Sequence, residues 1–139
     1  MIEILIDTGP LLAALNRQDK HHRFAVETMR QYNQPFTTTV AVMTEAMYLT
    51  QDRLGWYAAE KLLELVNRGD IIVQHTSLSD FQRIAVLMKK YLDSPMDFAD
   101  ATLVALAERL NCKRIFTIDT RDFHVYRWKD QIAFDVICP

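Results

Sequence analysis

A chain of 139 residues, half of them apolar, is long enough to bury a full core, and we expect residues 1–139 to form a single domain. A formal net charge of −2 excludes the strongly basic surface of many nucleic-acid-binding domains, so any such contact must come from a local group of cations. The first residues lack the basic and apolar regions of a signal peptide, and no apolar run approaches the roughly 20 residues that cross a bilayer. We therefore expect a cytoplasmic protein with no membrane contact.

Short apolar strands alternate with helices along the predicted chain. In order, we expect a strand at 2–6, a helix opened by residues 8–10 and running to 15, a helix at 20–32, a strand at 36–37, a helix capped by Thr38 or Thr39 and running to 53, a helix between Gly55 and Gly69, a strand at 71–73, helices opened by capping boxes at 77–80 and 94–97, and strands at 115–118 and 134–137. This alternation is typical of a parallel sheet covered by helices on both faces. The predicted fold is a helix-rich α/β/α sandwich with a short-stranded parallel sheet.

Four acidic residues each lie alone in an uncharged, mostly apolar stretch: Asp7, Glu45, Asp100 and Asp119. Carboxylates are almost never fully buried without a partner, because removing the charge from water costs several kcal/mol or more. No Lys or Arg lies within three positions of the first three of these acids. The partner of these carboxylates is therefore expected to be a bound cation.

These acids are expected to meet at one edge of the sheet, because the ligand crevice of a parallel sheet lies beyond the carboxyl ends of its strands. Asp7 and Asp119 are predicted to follow directly after apolar strands, and the helices carrying Glu45 and Asp100 start near the same sheet. Asp97 lies three positions before Asp100 and is predicted to share its helical face. Two carboxylates about 4 Å apart repel by about 4 kcal/mol at an effective dielectric of about 20, and a divalent cation removes that cost.

An all-oxygen set of ligands favours Mg²⁺ or Mn²⁺ over Zn²⁺. Such an ion can activate a water molecule and neutralise charge on phosphate oxygens, which suits phosphodiester hydrolysis. We expect Asp7, Asp100 and Asp119 to be direct or water-mediated ligands and Glu45 to orient the attacking water or complete the metal shell.

Each acid also has a purely structural interpretation. Asp7 and Asp119 suit helix N-caps, Asp97 suits the third helical position of a capping box, and Asp122 suits a turn. Glu45 and Asp100 are predicted to lie within helices, where neither would serve as a cap.

The four acids, in this order and at this spacing, resemble those of the PIN-domain nucleases, and among them the VapC-type toxins of type II toxin–antitoxin pairs. The matching stretches are residues 6–13, 44–46, 95–101 and 117–123, and the resemblance spans essentially the whole chain. It implies an endoribonuclease dependent on Mg²⁺ or Mn²⁺ that cuts single-stranded or loop regions of tRNA, rRNA or mRNA. It also implies a homodimer that is inhibited by a small antitoxin protein. Carried onto this sequence, the quartet is Asp7, Glu45, Asp100 and Asp119, with Asp97 as an accessory acid.

Contacts with RNA and with protein partners require cations and apolar side chains at the surface. The candidate RNA-binding residues are Arg17, Lys20 and Arg23 after the first helix and Arg121 beside the last acidic motif, with Tyr126 and Trp128 as residues that could stack on bases. Candidates for a dimer or antitoxin surface are Met43, Met47, Tyr48, Leu49, Trp56 and Tyr57. Ordinary solvation of the cations, and burial of the apolar residues in the core, remain the alternatives.

Three competing functions differ in the residues that they require. A haloacid-dehalogenase-type phosphatase needs a second Asp two positions after the first, where this chain has Gly9. A receiver-type signalling domain also binds Mg²⁺ in an acidic pocket, but it needs a Lys on a late strand, and the predicted late strands offer none. A PIN fold that binds RNA or a partner with little catalysis stays open.

Overall fold

The computed structural model describes residues 3–139, in which strands and helices alternate along the chain. In chain order the elements are β1 Leu5–Ile6, α1 Thr8–Leu15, α2 His22–Tyr32, β2 Phe36–Thr39, α3 Val40–Leu54, α4 Trp56–Asn67, β3 Ile71–Gln74, α5 Leu78–Lys90, α6 Phe98–Arg109, β4 Arg114–Phe116, α7 Asp122–Val125, β5 Arg127–Trp128, β6 Ile132–Ala133 and β7 Asp135–Ile137. Within residues 3–139 no helix is both long and apolar enough to cross a membrane.

Five strands form one parallel sheet in the order β3-β2-β1-β4-β7. β1 is the central strand of this sheet, because Leu5 pairs with Thr37 on one side and with Ile115 on the other. Asp7 directly follows this strand. The side chains of β1 are fully buried, which matches the continuous apolar run expected of a parallel strand covered on both faces. The predicted α/β class with a short-stranded parallel sheet is confirmed.

Helix α6, which carries Asp100, is more deeply buried than helix α3, which carries Glu45. Every residue from Ala99 to Ala107 is buried, as expected for a helix that is apolar around its whole circumference. The helix packs against α3, α5 and β2. This placement fixes the first turn of α6, and with it Asp100, against the core.

Two predicted caps are confirmed and one is wrong. Thr39 caps α3, and Ser77 and Asp80 form the predicted capping box of α5. The predicted box at 94–97 does not form, because the backbone N–H of Ser94 donates to the carbonyl of Tyr91 in the turn that ends α5. Asp97 itself is the N-cap of α6, with its side chain accepting from the backbone N–H of Asp100 at 2.8 Å.

Several predicted boundaries also shift. Strand β4 ends at Phe116, so Asp119 lies three positions beyond the strand rather than directly after it. Strand β1 covers only part of the predicted 2–6, and residue 2 lies outside the described residues. The short helix α7 and the antiparallel pair β5–β6 were not predicted, and Tyr126, which lies between α7 and β5, donates a hydrogen bond to Asp100.

Candidate active site

Asp7 lies at the carboxyl edge of the sheet, directly after β1, and caps α1. One carboxylate oxygen accepts from the backbone N–H of Thr8 at 2.8 Å, and the other accepts from the hydroxyl of Thr117 at 3.1 Å. Burial raises the pKa of Asp7 to about 6, and the charges of Asp97 and Glu45 add to this, against the opposing effect of the two hydrogen bonds. The cap interpretation of Asp7 is therefore correct, and the same carboxylate also belongs to an acidic cluster.

Asp100 is the third residue of α6, so it lies in the first turn of the helix rather than in its middle. The side chain is buried, and its Oδ2 accepts from the hydroxyl of Tyr126 at 2.8 Å. Burial, together with the nearby charges of Asp7, Asp97 and Asp122, raises the pKa of Asp100 to about 8, while the hydrogen bond from Tyr126 acts in the opposite direction. A carboxyl group with this pKa is held in a place that disfavours an uncompensated charge.

Glu45 lies on α3, is half-buried and contributes to the same negative field, because its charge raises the pKa of Asp7. Together with Asp97 it lines an open groove of about 830 Å³ that also includes Tyr48 and Phe98. Asp97 does not share a helical face with Asp100 as predicted, since it precedes the helix. It is nevertheless close enough to raise the pKa of both Asp7 and Asp100.

The two acids of the last acidic motif, Asp119 and Asp122, have pKa values that are shifted in opposite directions. Asp119 accepts from the backbone N–H of Arg121 at 2.7 Å, and this hydrogen bond is the main cause that lowers the pKa of Asp119. Burial raises the pKa of Asp122, with further contributions from Asp119 and Asp97. Since the charge of Asp122 in turn raises the pKa of Asp100, Asp122 interacts electrostatically with the cluster that contains Asp100.

We call these six residues the acidic cluster: Asp7, Glu45, Asp97, Asp100, Asp119 and Asp122. Four of them were predicted as a quartet and Asp97 as an accessory acid. The sequence pattern favours a turn position for Asp122, and its place three residues after Asp119 is the signal that could have assigned it to the cluster.

No member of the acidic cluster takes part in an ion pair with Lys, Arg or His anywhere in residues 3–139. The ion pairs of this part of the chain lie elsewhere, for example between Arg83 and Glu108 and between Arg109 and Asp80. The positive charge of Arg121 lowers the pKa of Asp119 and of Asp122, although the hydrogen bond of Arg121 to Asp119 is made by its backbone N–H. The cluster thus concentrates negative charge without the internal compensation that buried carboxylates ordinarily require.

The donor groups of the acidic cluster fit a hard divalent cation. Carboxylate oxygens predominate, and the buried hydroxyl oxygen of Thr8, beside Asp7, has no hydrogen-bond partner among residues 3–139. Across residues 3–139, no three Asp, Glu, His or Cys side chains already stand in the geometry of a metal cage. Mg²⁺ commonly keeps several waters and binds through one or two carboxylates, so its site does not require a preformed cage of protein ligands.

The predicted RNA-binding residues fall into two places. Arg17, Lys20 and Arg23 are exposed at the end of α1 that is distant from Asp7; α1 has 8 residues, a length of about 12 Å at about 1.5 Å per residue. Arg121 is exposed beside Asp119. The structure therefore brings only Arg121 close to the acidic cluster.

The predicted stacking of Tyr126 and Trp128 on bases is wrong. Both rings are buried in the core, where Tyr126 packs edge-on against Phe123 and Tyr91. Trp128 belongs to the strand pair that the sequence pattern did not indicate, and this pairing turns its ring inward.

Half of the residues predicted for a partner surface are exposed. Met43 is a core residue, and Met47 and Leu49 are half-buried, so these three form no free surface. The exposed members are Tyr48, Trp56 and Tyr57. The structure adds Val40, Phe81 and Phe98, which are exposed and line the same groove as Tyr48.

A family model described as the PIN domain matches residues 4–129. This chain belongs to the PIN-domain family. The membership predicted from the acidic quartet is confirmed, and it removes the haloacid-dehalogenase and receiver-domain alternatives.

The PIN domain is similar along its length to several VapC proteins. Ribonuclease VapC26 of Mycobacterium tuberculosis is 27% identical over 124 residues, which are 89% of this chain and 92% of that protein. The crystal structure of VapC20 from the same organism, a Sarcin-Ricin loop cleaving toxin, superimposes with a TM-score of 0.79 at 19% identity, covering 86% of this chain and 92% of that one. A toxin–antitoxin complex from Klebsiella pneumoniae gives a TM-score of 0.67 at 18% identity, covering 97% and 96% of the two chains. At these identities the solved structures establish the fold of this PIN domain.

Proposed function

We propose that this PIN domain is a divalent-metal-dependent endoribonuclease that hydrolyses phosphodiester bonds in single-stranded or loop RNA, and that it is the toxin of a type II toxin–antitoxin pair. The observation that carries the proposal is the acidic cluster, in which the pKa values of Asp7 and Asp100 rise to about 6 and about 8 with no basic side chain paired to them. A full-length relative at 27% identity is named a ribonuclease, which supports the same reaction.

In this proposal Asp7, Asp100 and Asp119 hold Mg²⁺ or Mn²⁺ directly or through water, with Asp97 as an accessory ligand. A bound divalent ion would stabilise charge on the phosphate oxygens and lower the pKa of an attacking water. The protein's own groups prepare this site: the backbone of Thr8 and the hydroxyl of Thr117 fix both oxygens of Asp7. In this proposal Glu45, which is half-buried at the edge of an open groove, orients the attacking water and accepts its proton.

A comparison of the RNA cleavage rates of wild type and Asp7→Asn tests the proposed enzyme activity. The amide of asparagine fills the same space but carries no charge for the cation, so we expect the cleavage rate to fall by more than about a hundredfold, beyond the usual effect of losing an outer partner of a metal ligand. Release of fragments from a loop-containing RNA, with Mn²⁺ and with a chelator, measures this. Asp70→Asn is the matched control, because Asp70 is exposed, pairs with Arg68 and precedes β3 at the opposite edge of the sheet.

Equal product from wild type and Asp7→Asn would contradict the enzyme assignment and leave a PIN fold that binds RNA with little catalysis. The inactive variant also permits binding measurements without cleavage. In that background we expect Arg121→Gln to reduce the slope of log K against log salt by about 0.7, the value for one lost phosphate contact on a single strand. Arg68→Gln, remote from the acidic cluster, should leave the slope unchanged.

We infer two protein partners, a second copy of this chain and a small cognate antitoxin. The exposed side chains of Tyr48, Phe81 and Phe98 line one groove beside Glu45 and supply an apolar face for the second copy. A separate groove between α1, α2 and α4, lined by Leu15 among others, could accept an antitoxin segment. The similar structure from Klebsiella pneumoniae is a toxin–antitoxin complex, which supports the second partner.

Light scattering tests both partners in one experiment. We expect the mass of a dimer for the chain alone and a larger complex after co-expression with the product of a short upstream reading frame. A monomeric mass at all concentrations, unchanged by that product, would contradict the inference.

A further inference from the structure

We propose that Tyr126 is a positioning residue of the acidic cluster, which fixes the carboxylate of Asp100 so that one oxygen is held by the protein and the other is left for the cation. This inference rests on the proposed metal-dependent function. It concerns a residue outside the predicted quartet and its accessory acids.

The hydroxyl of Tyr126 donates to Oδ2 of Asp100 at 2.8 Å, and the tyrosine is 1% exposed. A buried hydroxyl without a partner is costly, so this bond is the one that satisfies the tyrosine in place of water. The donor engages only Oδ2. Oδ1 of Asp100 is therefore the oxygen that stays available as a ligand.

The ring that carries this hydroxyl is locked on two sides. Its centroid lies 5.1 Å from that of Tyr91 and 5.2 Å from that of Phe123, both in edge-on arrangements. The backbone N–H of Tyr126 donates to the carbonyl of Asp122 at 3.0 Å, which fixes the main chain as well. With ring and backbone both held, the position of the hydroxyl oxygen beside Asp100 is set before any ion binds.

Tyr126 also joins two separate parts of the acidic cluster. Asp97 and Asp100 belong to the start of α6, whereas Asp119 and Asp122 belong to the segment that leads into α7. Tyr126 directly follows α7 and reaches back to Asp100. Outer partners that orient metal ligands in this way commonly change metal affinity or activity by about 10- to 100-fold when removed.

Tyr91 provides a matched control within the same group of rings. Its hydroxyl is also engaged, but it accepts from the backbone N–H of Arg127 at 2.9 Å and touches no carboxylate. Tyr91→Phe and Tyr126→Phe each remove one hydroxyl from a buried ring in the same aromatic cluster. A general effect on packing would therefore appear in both variants, and an effect through Asp100 would appear in only one.

The experiment measures Mn²⁺ binding by calorimetry and RNA cleavage at saturating Mn²⁺ for wild type, Tyr126→Phe, Tyr91→Phe and Asp7→Asn. For Tyr126→Phe we expect the dissociation constant of Mn²⁺ to rise by about tenfold or more, with kcat reduced and KM for RNA unchanged. Tyr91→Phe should match wild type in both measurements. Wild-type Mn²⁺ affinity in Tyr126→Phe, or an equal loss in Tyr91→Phe, would overturn the positioning role.

The Asp7→Asn arm separates this outcome from failure of the proposed function. If Asp7→Asn cleaves as wild type does, the metal mechanism itself is wrong; if it is inactive while Tyr126→Phe behaves as wild type, only the positioning role is wrong. If Tyr126→Phe does not fold, the same substitution is introduced into the Asp100→Asn variant, which lacks the carboxylate that Tyr126 orients. The double variant should then show the residual Mn²⁺ affinity of Asp100→Asn, and a further loss would show that Tyr126 acts on another group.

Discussion

Asp100→Asn is expected to abolish RNA cleavage and to leave the melting temperature equal to or above that of wild type. The asparagine carbonyl can still accept from the Tyr126 hydroxyl, but the side chain no longer ionises beside Asp7 and Asp97. Burial and the nearby charges raise the pKa of Asp100 to about 8 from 3.8, and each unit corresponds to about 1.4 kcal/mol. Keeping this carboxyl protonated in the folded, metal-free protein near pH 7 therefore costs stability on the order of a few kcal/mol, a cost that asparagine does not have. Calorimetric melting without metal, beside a cleavage assay, measures both effects.

Glu108→Gln is the control on the same helix. Glu108 accepts from Arg83 at 2.8 Å in a partly buried ion pair, so its replacement should lower the melting temperature while cleavage persists. The two variants are thus expected to change stability and activity in opposite ways. A large loss of stability in Asp100→Asn would instead identify Asp100 as a structural partner.

The metal-free protein should become less stable as the pH rises from 5 to 8, and Mn²⁺ should reverse the loss. The folded-state pKa values of Asp7 and Asp100, about 6 and about 8, lie above the unfolded value of 3.8. Groups with raised pKa values contribute stability that is complete below the unfolded pKa and is lost as the pH rises through the folded value. Asp122 acts with the same sign because burial raises its pKa too, whereas the lowered pKa of Asp119 acts only at more acidic pH.

Melting temperatures at several pH values, with and without millimolar Mn²⁺, test this expectation. A ligand at about 100 times its dissociation constant stabilises the folded state by about 2.7 kcal/mol. Because metal ligands must be deprotonated, the gain should be larger at pH 8 than at pH 5. In Asp100→Asn the pH dependence should flatten. A melting temperature that rises with pH in the metal-free protein, or that ignores Mn²⁺, would contradict the cation site.

The sequence permitted the prediction of the sheet and of the main acids for the same physical reason. An uncharged apolar run must be buried, and a charge inside such a run requires a special partner, so Asp7, Glu45 and Asp100 could be singled out before their positions in space were known. Their convergence followed from the rule that parallel strands present their carboxyl ends at one edge. The structure adds the reason why the pKa values of Asp7 and Asp100 are raised, which is burial at the first turns of α1 and α6.

The wrong predictions concern segments whose structure depends on particular tertiary contacts and turns rather than on the spacing of apolar and polar residues. Ser94 and Asp97 match a capping box in spacing, but a turn after α5 uses the backbone of Ser94. Tyr126 and Trp128 lie among charged residues, and so were predicted to be exposed. Their burial depends on a hairpin in which Lys129 and Asp130 take positive φ angles of 51° and 67°, positions that usually carry glycine or asparagine.

The bond between Asp7 and Thr117 joins residues that are 110 positions apart, and the strands on either side of β1 come from the early and the late parts of the chain. The proposed toxin therefore cannot be assembled while its late segments remain inside the ribosome. A nascent chain that already includes Asp7 and Glu45 would still lack the folded site, and it would not cleave the RNA that surrounds it during synthesis. Cleavage would therefore begin only after the late segments have left the ribosome and folded against β1.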